Sequence, residues 1–198
     1  MVATPIRIAI SGTHSTGKTT LLRRLEMEVR ALGYTVARTS GSLAKKAAEL
    51  GFPKMQQQTA ATTEWMISAG ICAELEATLT ADVILLDRSA FDPLAYLMAG
   101  LAQRDQPFDE ATQQELTALA TTHAASYTLL LLTALDPDAP LGNHRDRDLD
   151  YRASVDRHLH ALLDATGIHH LVVANTDVSR DEARTAVLDT VRAMAAAP

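Results

Sequence analysis

The chain has one cysteine, Cys72, among its 198 residues. No intrachain disulfide can form, and no cysteine cluster for a metal exists. Long apolar runs are also missing; none approaches the ~20 residues that cross a bilayer. The start, Met1-Val2-Ala3-Thr4-Pro5, leads straight into a strand-like run without the pattern of a signal peptide. No block of like charges suggests a nucleic-acid tail or a membrane-surface patch, although the formal net charge is −6. These absences predict a soluble, cytoplasmic protein with neither nucleic acid nor membrane as partner. An acidic whole can still hold a local basic pocket for a phosphate ligand.

What is present is a core. Hydrophobic residues make up 47% of the sequence, enough for one compact domain spanning 1–198. Four short apolar runs stand out: Ile6–Ile10, Val83–Leu86, Leu129–Leu132 and Leu171–Ala174, with a weaker one at Tyr34–Ala37. Their length fits strands buried on both faces of a parallel sheet. Between them lie helical spacings such as Leu21, Leu25, Val29 and Leu32, with Gly33 as a stop. Asp92-Pro93 reads as a helix cap followed by a first-turn proline, and Ser179 with Glu182 as a capping box. Strands alternating with helices predict an α/β fold: three layers, a five-stranded, mainly parallel sheet, and helices on both faces.

Gly12-Thr13-His14-Ser15-Thr16-Gly17-Lys18-Thr19 fits G-x-x-x-x-G-K-[ST] at every fixed position, between a strand and an amphipathic helix. Glycines let the backbone curl so that its N–H groups face phosphate oxygens, and the helix N-terminus adds partial positive charge. Lys18 is expected to bridge the β- and γ-phosphates of ATP, and the Thr19 hydroxyl to ligate Mg²⁺; the phosphate cage extends to Thr20. His14 either touches a phosphate or, the favoured reading, is a solvent-facing loop residue.

Asp87-Arg88-Ser89 follows the third apolar run, where ligands collect in open α/β sheets. Asp87 is expected to hold a Mg²⁺-bound water or steer an acceptor hydroxyl, and Arg88 to hold an anionic group or the moving phosphoryl. The plainer alternative makes Asp87 a cap and Arg88 its ion-pair partner. Asn143-His144-Arg145-Asp146-Arg147 through Arg152 is either a lid over the triphosphate, covering about 136–150, or an ordinary solvated loop. The lid reading makes Arg145 and Arg147 catalytic. Asn175-Thr176-Asp177 is placed to read the adenine ring. Trp65 either stacks on a base or sugar or, as favoured, belongs to the core.

These motifs together resemble the AAA-type ATPase/kinase domain of nicotinamide riboside kinases and, more distantly, thymidylate and deoxynucleoside kinases. The residues that carry the resemblance are the phosphate loop, Asp87-Arg88 with Asp92-Pro93-Leu94-Ala95-Tyr96, and Arg145 through Tyr151-Arg152. It extends from about Arg7 to Val191. It implies ATP and Mg²⁺, a nucleoside or nucleotide as small-molecule acceptor, and roles for Asp87 and Arg88 on the acceptor side and Arg145 in the lid. A homodimer is admitted. One departure stands out: relatives carry a glutamate after the second strand, whereas Ala37-Arg38-Thr39-Ser40-Gly41-Ser42 has no carboxylate. The Asp-Gly that often precedes the lid arginine is also replaced, by Gly142-Asn143-His144. The acceptor is then unusual, or Asp87 acts as base alone. An ATPase without an acceptor is the alternative. A GTP switch is disfavoured, because Asn-Lys-x-Asp and Asp-x-x-Gly are lacking.

Overall fold

Five parallel strands run in the order β2-β3-β1-β4-β5, with β1 (Ile6–Ser11) at the centre. A computed structural model describes residues 4–39, 43–139 and 147–195. The strands beside β1 are β3 (Val83–Asp87) and β4 (Leu129–Thr133), and the edges are β2 (Val36–Thr39) and β5 (Leu171–Val173). Parallel neighbours need crossovers, and the helices supply them: α1 (Lys18–Ala31), α2 (Leu43–Glu49), α3 (Ala60–Ala77), α4 (Phe91–Gln103), α5 (Glu110–Ala124), α6 (Leu149–Thr166) and α7 (Asp177–Ala195).

The period-two rule divides each strand between two cores. Ile6, Ile8 and Ile10 of β1, with Val83 and Leu85 of β3, pack beneath α1 and α7 against Leu22, Leu25, Val29 and Val187. Ala9, Ile84, Leu86, Leu130 and Leu132 face the other way, toward Phe91, Leu94, Leu116, Val155 and Leu159. Both faces are covered, which is why these strands read as unbroken apolar runs. The expected α/β architecture is borne out.

Local punctuation departs from expectation in places. Gly33 does follow α1, with a φ of 92° that a glycine adopts without cost. β2 starts at Val36 rather than Tyr34, since Thr35 instead bonds the Asp82 carboxylate through its N–H. Asp92 is not the cap of α4: the helix starts at Phe91, and Asp92 lies inside its first turn with Pro93. At α7, Thr176 caps, its Oγ1 accepting from the Ser179 N–H, while the Ser179 hydroxyl accepts from Ala174 N–H, ahead of the helix.

Candidate active site

The carboxyl ends of β1 and β3 open onto the same edge of the sheet, because Ile10 stands opposite Asp87 in register. The loop Gly12–Gly17 leaves β1 and delivers the chain to α1, whose N-cap is Gly17 at φ 86°. That cap has no side-chain hydrogen bond and the first turn has no acidic residue, so no carboxylate of α1's own first turn offsets the positive end of the helix. Gly12 is required for space as well as φ, whereas at Gly17 the demand is mainly φ, since the neighbour there is the flexible end of Arg180. A β-carbon on Gly12 would come within 2.0 Å of Thr133 Oγ1, and one on Gly17 within 2.9 Å of the Arg180 guanidinium.

Lys18 is buried, and its ammonium donates to the carbonyl oxygens of Gly12, at 2.7 Å, and Thr13, with Thr16 Oγ1 at 3.3 Å. Thr16 Oγ1 also meets Thr133 Oγ1 at 2.7 Å, which fastens the loop to the end of β4. Thr19 and Thr20 are exposed in the first turn of α1. His14 is not the solvent-facing residue expected; only 4% exposed, its Nδ1 stands 3.4 Å from Tyr96 Oη. The loop packs on α4, through His14 with Tyr96 and Gly12 with Asp92.

Asp92 joins the two strand ends. It is fully buried, with Oδ1 accepting from Gly12 N–H at 3.2 Å and Oδ2 from Ser89 N–H at 2.8 Å. Arg88 Nη1 donates to the same Oδ1 at 3.1 Å, and Nη2 to Tyr96 Oη at 3.2 Å, with the guanidinium 4.9 Å from the Tyr96 ring centroid. Burial disfavours the Arg88 charge, but Tyr96 and Asp92 more than offset it, and the pKa rises above the ordinary arginine value. Arg88 holds a φ of 93°, a sparsely populated conformation for a side chain of this size. Asp92 carries weight that its reading as a cap did not reveal.

Beside this cluster a cleft of about 430 Å³ is lined by Asp87, Arg88, Ser89, Thr39, Trp65 and Glu74, among others. Asp87 is half-buried in this lining. Trp65 is not core: it is half-exposed on α3, stacked on Phe52 with centroids 5.5 Å apart, and forms part of the cleft wall. Glu74, unremarked in the sequence, is buried in the same wall and bonds His123 Nε2 at 2.6 Å. Tyr127 Oη accepts from Ala90 N–H at 3.1 Å; burial, with the Glu74 charge beside it, pushes its pKa well up.

On the far side of the loop, Asn175 donates to Asp136 Oδ2 at 2.6 Å and accepts from Arg180. That hydrogen bond from Asn175 is the first cause of a lowered Asp136 pKa. Asp177 opens α7 and is exposed. Arg147 is exposed just ahead of α6, whereas Arg145 lies outside the described residues. Arg152 is no part of an open flap: it is 1% exposed and donates to the carbonyls of His14 and Ser15, at 3.1 Å each. The structure thus gathers Gly12–Lys18, Arg88 and Arg152 into one cluster, with Asp87 at the cleft and Asn175 on the other flank. Among the described residues no group of three or more His, Cys, Asp and Glu could hold a metal unaided. A Mg²⁺ at Thr19 and Asp87 would therefore need further oxygens, which nucleotide phosphates carry.

The fold is that of the P-loop kinases. The chain belongs to the AAA domain family, whose model matches residues 7–180. Among solved structures it is similar to NadR in complex with NR, with a TM-score of 0.66 and 17% identity over 98% of this chain. It spans about half of that protein, 52% of its length. Deoxyadenosine kinase from M. mycoides with bound dATP matches with a TM-score of 0.65 and 13% identity, over 93% of this chain and 99% of that one. Thymidylate kinase from Ehrlichia chaffeensis matches with a TM-score of 0.61 and 13% identity, over 95% and 99%. No curated protein matches the sequence. At these identities the likeness establishes the fold, and with it the resemblance expected from the motifs. No helix among the described residues is long and apolar enough to cross a membrane.

Proposed function

We propose that the chain, acting as one domain, is a phosphotransferase that moves the γ-phosphoryl of Mg-ATP to a hydroxyl of a nucleoside-like small molecule. The observation that carries this reading is the adjacency of a glycine-bounded loop holding a buried lysine and a cleft of about 430 Å³ with a carboxylate, Asp87, in its lining. Arg88 belongs to both, lining the cleft while donating to the Gly12 carbonyl. A loop alone would suit any nucleotide-binding protein; a second cleft at its mouth suits transfer.

In this reading the N–H groups from Thr13 to Thr19 and the Thr20 hydroxyl hold the phosphates, and the Lys18 ammonium crosses from loop carbonyls to phosphoryl oxygens. Thr19 would hold Mg²⁺ directly and Asp87 through a metal-bound water, and the metal would neutralise charge on the phosphates when bound. Asp87 steers the acceptor hydroxyl and receives its proton as the new P–O bond forms; the bond to the β-phosphate oxygen breaks, and ADP carries the electron pair away. Arg88 faces the moving phosphoryl, and Arg145 and Arg147 close over it from the segment before α6. Asn175 and Asp177 flank the adenine. Catalysis here is mostly positioning and charge neutralisation.

A second reading, ATP hydrolysis without an acceptor, is favoured by the lack of a carboxylate in Ala37–Ser42. ADP release measured with and without a panel of nucleosides, nucleotides and amino sugars separates the two. Acceptor-dependent release with a phosphorylated product is expected; equal rates in every well would replace transfer by hydrolysis.

A further inference from the structure

Between Gly12 and Gly17 stand four residues with side chains, Thr13-His14-Ser15-Thr16, and among them Ser15 holds a φ of 59°. A non-glycine residue keeps such a conformation only where its surroundings impose it. The surroundings here include Arg152, a residue outside the motif and 138 positions from His14. Its Nε donates to His14 O and its Nη2 to Ser15 O, both at 3.1 Å, from a side chain that is 1% exposed.

In a trans peptide the carbonyl and the following N–H point in opposite directions. Drawing the His14 carbonyl toward α6 turns the Ser15 N–H away from α6 and into the loop. Drawing the Ser15 carbonyl the same way turns the Thr16 N–H inward as well. A planar guanidinium can reach two adjacent carbonyls at once; an ammonium has one nitrogen to offer. α6 itself is anchored at this end, since Asp148 caps it by accepting from Tyr151 N–H at 2.9 Å, and Tyr151 Oη donates to Tyr96 O at 3.1 Å.

We propose that Arg152 is a positioning residue that presets the N–H groups of Ser15 and Thr16 for a phosphate oxyanion. This rests on the reading of the loop as a triphosphate cage. Two donors are then paid for in folding rather than at the moment of binding, so the nucleotide meets a cage already formed. Arg152 itself touches no ligand. Its contribution is to hold two peptide planes.

Calorimetric titration of Mg-ATP into wild type, Arg152→Lys and Arg152→Met, each held well below its own Tm, tests this. The methionine variant should bind about tenfold to a hundredfold more weakly, and the lysine variant should fall between. In the nucleotide-free proteins, the amide resonances of Ser15 and Thr16 should shift or broaden in both variants. Unchanged affinity in folded variants, whatever the loss in Tm, would reduce Arg152 to a structural residue and overturn the proposal. If the methionine variant does not fold, the lysine variant decides by the same two readouts. Absence of Mg-ATP binding by wild type would overturn the cage reading, and this proposal with it. Binding by wild type that the variants share would overturn this proposal alone.

Discussion

The loop that ends β1 and the cleft that ends β3 lie side by side, yet they are built in opposite ways. The loop is one continuous segment that offers backbone amides and one lysine, with Thr13, His14, Thr16 and Lys18 buried. The cleft is a collection: Asp87 from β3, Trp65 and Glu74 from α3, Thr39 from β2, with half-exposed side chains among them. A site made of backbone must be held in shape by distant residues, and here Asp92, Thr133 and Arg152 do that. A site made of side chains can change its ligand one residue at a time while the fold stays. Under the proposed function, such a division would let one architecture take different acceptors.

Four substitutions sharpen this contrast. The largest effect belongs to the loop: Lys18→Ala should lower turnover by about a hundredfold or more, with the fold retained by circular dichroism. Turnover close to wild type would show that the loop is not where transfer happens. Next, Asp92→Ala should cost about 2–4 kcal/mol in denaturant unfolding, because it strips a buried acceptor from Gly12, Ser89 and Arg88 at once. A smaller loss would mean that loop and strand end are held together by other groups. On the cleft side, Trp65→Ala should raise the acceptor KM by about tenfold and leave Mg-ATP affinity unchanged. A change in ATP affinity would erase the division between the two regions.

The smallest effect concerns α6 beneath the loop. Burial raises the Asp156 pKa, opposed by His160, Arg152 and Lys18 nearby. A carboxyl whose folded pKa is raised contributes stability when protonated, and this is lost as pH rises through that value. Asp156→Asn should therefore gain stability relative to wild type as pH climbs from about 4 toward neutrality. Thermal melts at a series of pH values would show it, and parallel curves would remove Asp156 from the account.

The sequence made the strands and the loop readable for a local reason: apolar runs and a fixed eight-residue pattern depend on neighbours along the chain. Gly33 and Pro93 were legible on the same grounds. What holds the loop was not legible. Asp92 is 80 residues from the glycine it binds, and its position before a proline gave the local signal of a cap. Arg152 read as a lid residue because it follows Arg145 and Arg147 in sequence, whereas one helical turn carries it inward. His14 and Trp65 were misjudged for a shared reason: exposure in a loop or on a helix is set by what packs across from it. For His14 that is Tyr96, and for Trp65 it is Phe52 at the open mouth of a cleft. Glu74 left no trace at all, since its partner His123 lies on another helix.

The central place of β1 carries a consequence for how the protein is made. β1 leaves the ribosome before β3 and β4, the strands it pairs with, and its loop is fastened by Thr133 and Arg152, far downstream. A nascent chain that has finished the motif therefore has the letters of a nucleotide site without its shape. Only when α6 has been synthesised can the loop be locked, so incomplete chains should not sequester ATP.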